Sequence, residues 1–194
     1  MTDIISVPAR RLRAPAEPRA GAATAPGAAR GAAAADAQLI TCVELLFFAY
    51  RDFTGEADAV LAEFGLGRAH HRVLHFVNRN PGLKVQDLLD ILKITKQSLA
   101  RVLKLLVDQG WICQVAGNED RRQRLLHTTE KGAGLAGRLD ALQAKRIGNA
   151  LAAAGPGSEA AMLRFLFAMI VPEERAFVEA LLPRPIEAAL PAAG

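Results

Sequence analysis

Residues 81–132 read PGLKVQDLLDILKITKQSLARVLKLLVDQGWICQVAGNEDRRQRLLHTTEKG. Pro81-Gly82 is a turn, and Leu83–Val85 is a short extended piece. A helix is expected over 86–92, with Leu88, Leu89 and Leu92 apolar. Lys93-Ile94-Thr95 then makes a tight turn, and Thr95 is placed to cap a helix from Lys96 to Gln109. Leu99, Val102, Leu103 and Leu106 form the i, i+3, i+4, i+7 face of that helix. Gly110 ends it. Two short strands follow, 111–115 and 124–128, joined by a polar, charged loop. Helix, turn, helix and hairpin is the order of a winged helix-turn-helix.

The outward side of the second helix carries its own signal. Lys93, Lys96, Arg101 and Lys104 are basic, and no acid interrupts them. Lys96, Gln97, Ser98, Arg101 and Lys104 are left to face outward once the leucines turn inward. Gln pairs bidentately with adenine, Arg with guanine, and lysine suits phosphate. A charge run of this kind also occurs on plainly solvated helices; the flanking turn and hairpin favour a helix built for the major groove. The hairpin tip holds Arg121, Arg122 and Arg124, side chains suited to the negative potential of a narrow minor groove. Asp120 beside them is an acid that can orient an arginine through a bidentate pair.

Outward from this segment the chain is helical. A long helix is expected from Asp36 to about Phe64, burying Leu39, Val43, Leu46, Phe47, Tyr50 and Phe53. A second runs from Arg68 to about Asn80. Thr129 caps a helix from Glu130 to about Ala153, Gly155-Pro156-Gly157 breaks it, and Ser158 restarts it. Pro172, followed by Glu173 and Glu174, opens a last short helix to Leu182. More than half of residues 1–35 are Ala, Pro or Gly, with five arginines among them, and that segment is expected to stay disordered. An arginine-rich, acid-poor start is also the composition of a transit peptide. A solvated tail that adds non-specific DNA affinity is the favoured reading.

The fold class expected is therefore mainly α, a winged helix-turn-helix with a small β-hairpin wing and a helical dimerisation domain. Its boundaries are 67–132 for the winged helix, 36–66 and 133–182 for the dimerisation helices, and 183–194 for a C-terminal tail. Composition agrees. The 194 residues include 51% hydrophobic but only 5% aromatic residues, which favours alanine-rich helices over β-sandwiches. A net charge of +4 is mildly basic, so the distribution of charge matters more than its total. The uncharged runs near apolar sequence, 147–158 and 165–172, fall well short of the ~20 residues a bilayer needs, so no membrane partner is expected. Cys42 and Cys113 stand far apart without a Cys-x-x-Cys spacing, which fits a reducing cytoplasm. Phosphate-loop, serine-hydrolase and zinc-protease motifs are missing, so neither an enzyme nor a cofactor is expected.

His71 and His75 stand one helical turn apart, with His70 beside them. Two imidazoles so placed could share a metal, but no third ligand has a fitting spacing, so no metal site is assigned. A packed helix face, or a pH- or ligand-sensing pair, are the remaining readings. Both cysteines read as packed thiols, Cys113 within its hairpin strand.

Three fragments together resemble the MarR family of winged-helix transcription regulators: RVLKLLVDQGWI at 101–112, DRRQR at 120–124 and TEKG at 129–132. The run AHHRVLHFV at 69–77 is similar to the PetP subgroup of that family. The resemblance spans about 37–182; the long leader and the last helix depart from the compact pattern. It implies a homodimer whose terminal helices interlock and whose recognition helices enter the major groove of a double-stranded, pseudo-palindromic operator. Lys96, Gln97, Ser98, Arg101 and Lys104 would then face the major groove, and Arg121, Arg122 and Arg124 the minor groove. A small-molecule effector would alter the spacing of the two recognition helices, with His71 and His75 as possible contacts. Some relatives sense peroxides through a first-helix cysteine. That position aligns with Val43, and one residue of offset turns Cys42 by about 100°. The functional expectation is a nucleoid-associated, cytoplasmic transcription regulator. Two alternatives stay open: a weakly specific architectural DNA binder, and a protein-interaction winged helix that has lost DNA binding.

Overall fold

The computed structural model describes residues 27–117 and 123–186. The elements run α1 (Gly27–Ala62), α2 (Arg68–Arg79), β1 (Leu83–Lys84), α3 (Val85–Leu92), α4 (Lys96–Asp108), β2 (Ile112–Ala116), β3 (Arg124–Thr128), α5 (Glu130–Ala154), α6 (Ser158–Met169) and α7 (Pro172–Leu181). The chain divides into two units, Met1–Leu45 and Leu46–Gly194. Among the described residues the first holds only the leading part of α1. The second holds every other element.

The helix-turn-helix forms where the sequence places its signals. Thr95 has extended backbone, and its Oγ1 accepts from the Ser98 N–H at 3.2 Å, filling one of the open donors at the start of α4. Leu99, Val102, Leu103 and Leu106 are buried. They join Leu61 of α1, Val73, Leu74 and Val77 of α2, Leu88 of α3 and Leu139 of α5 in one apolar cluster. Burying each such side chain contributes roughly 1.5–3 kcal/mol, so this cluster holds the second unit together.

The hairpin acquires a third strand. The order is β1-β3-β2, both pairs antiparallel, with Leu83 opposite Leu126 and Cys113 opposite His127. The two residues of β1 follow directly on the turn at Pro81-Gly82. The Gly82 N–H donates to the Leu126 carbonyl at 2.9 Å, which ties that turn to the sheet.

Three expectations need correction. First, α1 begins at Gly27, nine residues before Asp36, which lies inside the helix rather than at its cap. Six of the eight residues 28–35 are alanine, the residue with the highest helix propensity, and the expected tail is helical from 27 onward. Second, the apolar residues of α1 do not all turn inward. Leu39, Ile40 and Val43 are exposed in the first unit. In the second unit Phe47 is 68% exposed, and Leu46, Phe48 and Tyr50 are exposed too, while Ala57, Val60 and Leu61 take the core side. Helical periodicity identifies an apolar face without saying which chain covers it. Third, both cysteines are free and exposed. Cys113 lies on the outer strand β2, where only Ile112 is buried.

Gly132, Gly134 and Gly137 satisfy the spacing Gly-x-Gly-x-x-Gly. That spacing binds dinucleotides when it forms the turn between a strand and a helix. Here all three glycines lie within α5, and Gly132 has a packing role instead. Its backbone passes so close to Trp111 that a side chain would collide with the Trp111 carbonyl.

Candidate nucleic-acid interface

α4 presents one polar face. Lys96, Gln97, Arg101 and Lys104 are exposed. At 100° per residue, Gln97, Arg101 and Lys104 lie within an arc of about 60°, and Lys96 lies about 80° beyond Lys104. Ala100, also exposed, lies between Lys104 and Lys96 around the helix. Small and uncharged, it carries no charge signal in the sequence, yet a methyl group between two long polar side chains suits contact with a thymine methyl. The buried leucines opposite fix the rotation of the helix, so this face is set by packing.

Three of the basic and polar residues differ in how free they are. The Ser98 hydroxyl accepts from Thr95 Oγ1 at 2.9 Å and the residue is half-buried, so it serves the start of the helix as well as its outer face. Lys104 Nζ lies 2.5 Å from Asp108 Oδ2, one turn on, an exposed pair of small energetic value. Lys93 turns away from the α4 face. Its ammonium lies 3.0 Å from Glu174 of α7. Counting basic residues along the sequence did not separate it from the others, because its partner lies far along the chain.

The wing begins and ends as a strand pair. Ala116 is opposite Arg124, and the Gly117 N–H donates to the Gln123 carbonyl at 3.0 Å. Arg124 is exposed at the base. Asp120, Arg121 and Arg122 lie outside the described residues.

The wing base and α4 are clamped by the Thr129–Gly132 run. Thr129 Oγ1 donates to the Gly110 carbonyl at 2.7 Å and accepts from the Gly132 N–H at 3.1 Å. The Thr129 N–H donates to the Trp111 carbonyl. Lys131 Nζ donates to the Gln109 carbonyl at 3.0 Å and stands 3.7 Å from the Trp111 ring centroid, a cation–π contact. Thr129, Lys131 and Gly132 thus hold the C-terminus of α4, the approach to β2 and the start of α5 together.

The histidines are brought near each other on α2. His75 Nδ1 lies 2.9 Å from Asp140 Oδ1 of α5. Burial holds the His71 imidazole below its ordinary range, repulsion from the neighbouring His75 adds to this, and Asp140 and Asp58 partly oppose it. Both rings line a cavity of about 620 Å³ that also takes Tyr50, Arg68, Arg72 and Gln143. Among the described residues no group of three metal-ligating side chains occurs. No helix there is long and apolar enough to cross a membrane.

A helix with a fixed polar face, preceded by a capped turn and followed by a wing, defines a winged-helix transcription regulator. The sequence profile of the MarR family matches residues 64–123. A curated relative, the HTH-type transcriptional regulator PetP of Rhodobacter capsulatus, is 47% identical over 140 residues, which cover 72% of this chain and 84% of PetP. The chain belongs to the MarR family. Solved structures share the fold at lower identity. A MarR variant from E. coli complexed with operator DNA has TM-score 0.53 and 21% identity, covering 70% of this chain and 96% of that one. A MarR transcriptional regulator from Methanosarcina mazei Go1 has TM-score 0.56 and 22% identity, covering 69% and 94%.

Proposed function

We propose that this chain acts as a homodimeric, sequence-specific DNA-binding regulator in the cytoplasm, at the nucleoid, and that a small-molecule effector controls it. The exposed face of α4 carries the proposal. Gln97 and Arg101 are suited to base edges, Ala100 to a thymine methyl, and Lys96 and Lys104 to phosphates. Ser98 contributes at the N-terminal edge of the same helix. Arg121, Arg122 and Arg124 of the wing would enter the adjacent minor groove, with Asp120 orienting one of them. The resemblance of the fold to an operator-bound MarR supports the same docking.

The homodimer is supported by uncovered apolar surface in the second unit. Phe47, Phe48 and Tyr50 of α1 and Phe165, Leu166 and Met169 of α6 are all exposed. Large apolar side chains left exposed in this number mark an association surface. Residues 36–66 and 133–182 would form the dimer domain and 67–132 the DNA-binding domain. Two-fold symmetry then sets the operator half-sites one helical turn apart, about 34–36 Å. The cavity lined by His71 and His75 is the proposed effector site, and Cys42 a candidate redox contact exposed on α1.

The test is binding of the protein to its own upstream DNA against a random duplex of equal length, over a salt series. Strong preference for its own DNA with a steep salt slope supports the proposal. Equal affinity for selected and random duplexes would replace it with an architectural binder.

A further inference from the structure

The C-terminal end of α4 is held by the clamp from Thr129 to Gly132. The helices that follow the clamp return to the other end of α4. Ser158 Oγ donates to the Leu151 carbonyl at 3.0 Å and ties the start of α6 to the last turn of α5. Arg175 donates to the Ile170 carbonyl from Nε at 3.0 Å and to the Ala168 carbonyl from Nη2 at 2.9 Å, fixing the corner between α6 and α7. α7 then reaches the turn before α4. There Glu174 Oε1 lies 3.0 Å from Lys93 Nζ, and the same ammonium stands 5.8 Å from the centroid of the Phe177 ring. Helices α4, α5, α6 and α7 thus close a ring.

The Lys93 backbone ends α3, its N–H donating to the Leu89 carbonyl at 2.9 Å. Thr95, the cap of α4, follows two residues later. A hold on the Lys93 side chain is therefore delivered to the junction of the two helices. Beside this contact the space under α7 is open: a cavity of about 590 Å³ is lined by Phe177, Val178 and Leu181 of α7 and by Phe76 and Ile91. Among the described residues the pair with Lys93 is the only ion pair that α7 forms. Being largely exposed, it adds little to the stability of the fold. Its value is in position, because a rod held at one end pivots and a rod held at both ends does not. α4 has 13 residues and is about 20 Å long at 1.5 Å per residue. A pivot of about 10° at its C-terminal end carries Lys96 and Gln97 by about 3.4 Å, the rise of one base step.

We infer that Glu174 and Phe177 are positioning residues: acting through Lys93, they fix the N-terminal end of α4 and with it the register of Gln97 and Arg101 on base edges. Neither lies on α4, so they govern sequence preference without adding to the attraction for phosphate. The consequence for DNA rests on the function proposed above; the hold on α4 does not.

Titration of the full chain with its own upstream DNA and with a random duplex, over a salt series, tests the effect on preference. Glu174→Gln and Phe177→Leu should each lower affinity for the upstream DNA at least threefold, and leave affinity for the random duplex and its salt slope unchanged. Glu174→Lys should lower it further. The reversed pair, Lys93→Glu with Glu174→Lys, should restore the preference, which a loss of packing alone would not allow. Hydrogen exchange without DNA tests the hold itself. Glu174→Gln should speed exchange several-fold at Ser98 and Leu99, whose N–H groups bond to Thr95, and leave Trp111 beyond the other end of α4 unchanged. Unchanged preference in both single variants, tighter binding of every duplex by Glu174→Gln, a reversed pair that fails to restore preference, or unchanged exchange at Ser98 and Leu99 would each overturn the proposal. Tighter binding would mean that Glu174 merely keeps Lys93 from phosphate. If the natural chain shows no preference for its own DNA, the DNA-binding reading fails, and the exchange measurement still decides whether α7 holds α4.

Discussion

A Cβ at position 132 would stand 1.9 Å from the carbonyl oxygen of Trp111. Glycine is therefore required at that position by contact with a neighbouring backbone, within a helix whose dihedral angles any residue could adopt. This explains the last letter of the Thr-Glu-Lys-Gly run: α5 can approach the base of the wing only where it carries no side chain.

Gly132→Ala should destabilise the fold, because the colliding atom is backbone and cannot rotate aside. Overpacking of this kind costs about 1–3 kcal/mol or more, and for a chain of this length each kcal/mol lowers the melting temperature by roughly 2–4 °C. Thermal denaturation of the variant beside Gly134→Ala checks it. Position 134 has open space for a Cβ, so that variant should be neutral or slightly stabilising.

Substitutions on α4 should separate base reading from phosphate contact. Arg101→Ala is expected to cost about 1–3 kcal/mol on a selected operator and to relax base preference, whereas Lys96→Ala should weaken all duplexes alike and reduce the salt slope by about one. Lys104→Ala should reduce the slope less than Lys96→Ala, because Asp108 already answers part of the Lys104 charge. Titrations at several salt concentrations distinguish the three.

Much of this interface is legible in the sequence because its determinants are local. Thr95 and Thr129 announce their helices within three residues, and Leu99 to Leu106 define a face within two turns. What escapes the sequence is what depends on distant partners. Lys93 and Glu174 are 81 positions apart, and nothing near Lys93 marks it as different from Lys96. The collision that makes Gly132 necessary exists only after the wing has folded against α5. Phe47 and Tyr50 show the period of an inward face, yet the single chain leaves them exposed, because period reports an apolar side and not its neighbour. The alanines after Gly27 combine low complexity with high helix propensity, and composition alone weighs the first property more heavily.

Charge placed on the uncovered apolar face should prevent self-association. Phe165 is 56% exposed. Phe165→Glu should leave the single-chain fold intact and shift sedimentation from dimer to monomer at micromolar concentration. Unchanged sedimentation would remove α6 from the dimer interface.

Acidification should weaken the fold through His71. Its folded-state pKa is held below the ordinary value, chiefly by burial. Across the interval below about 6.5 the unfolded chain therefore binds more protons, and stability falls as pH drops through it. Urea midpoints at about pH 7.5 and 5.5 should differ more for the natural chain than for His71→Gln. An equal drop in both would assign the acid sensitivity to other groups.

The clamp from Thr129 to Gly132 makes α5 a lever with its fulcrum at the wing. Its 25 residues extend about 37 Å at 1.5 Å per residue. A tilt of about 5° moves the far end by roughly 3 Å over that length, while the Trp111 carbonyl, the end of α4 and the first turn of α5 move together. A displacement at the far end of α5 would therefore reach the base of the wing as only a small rotation.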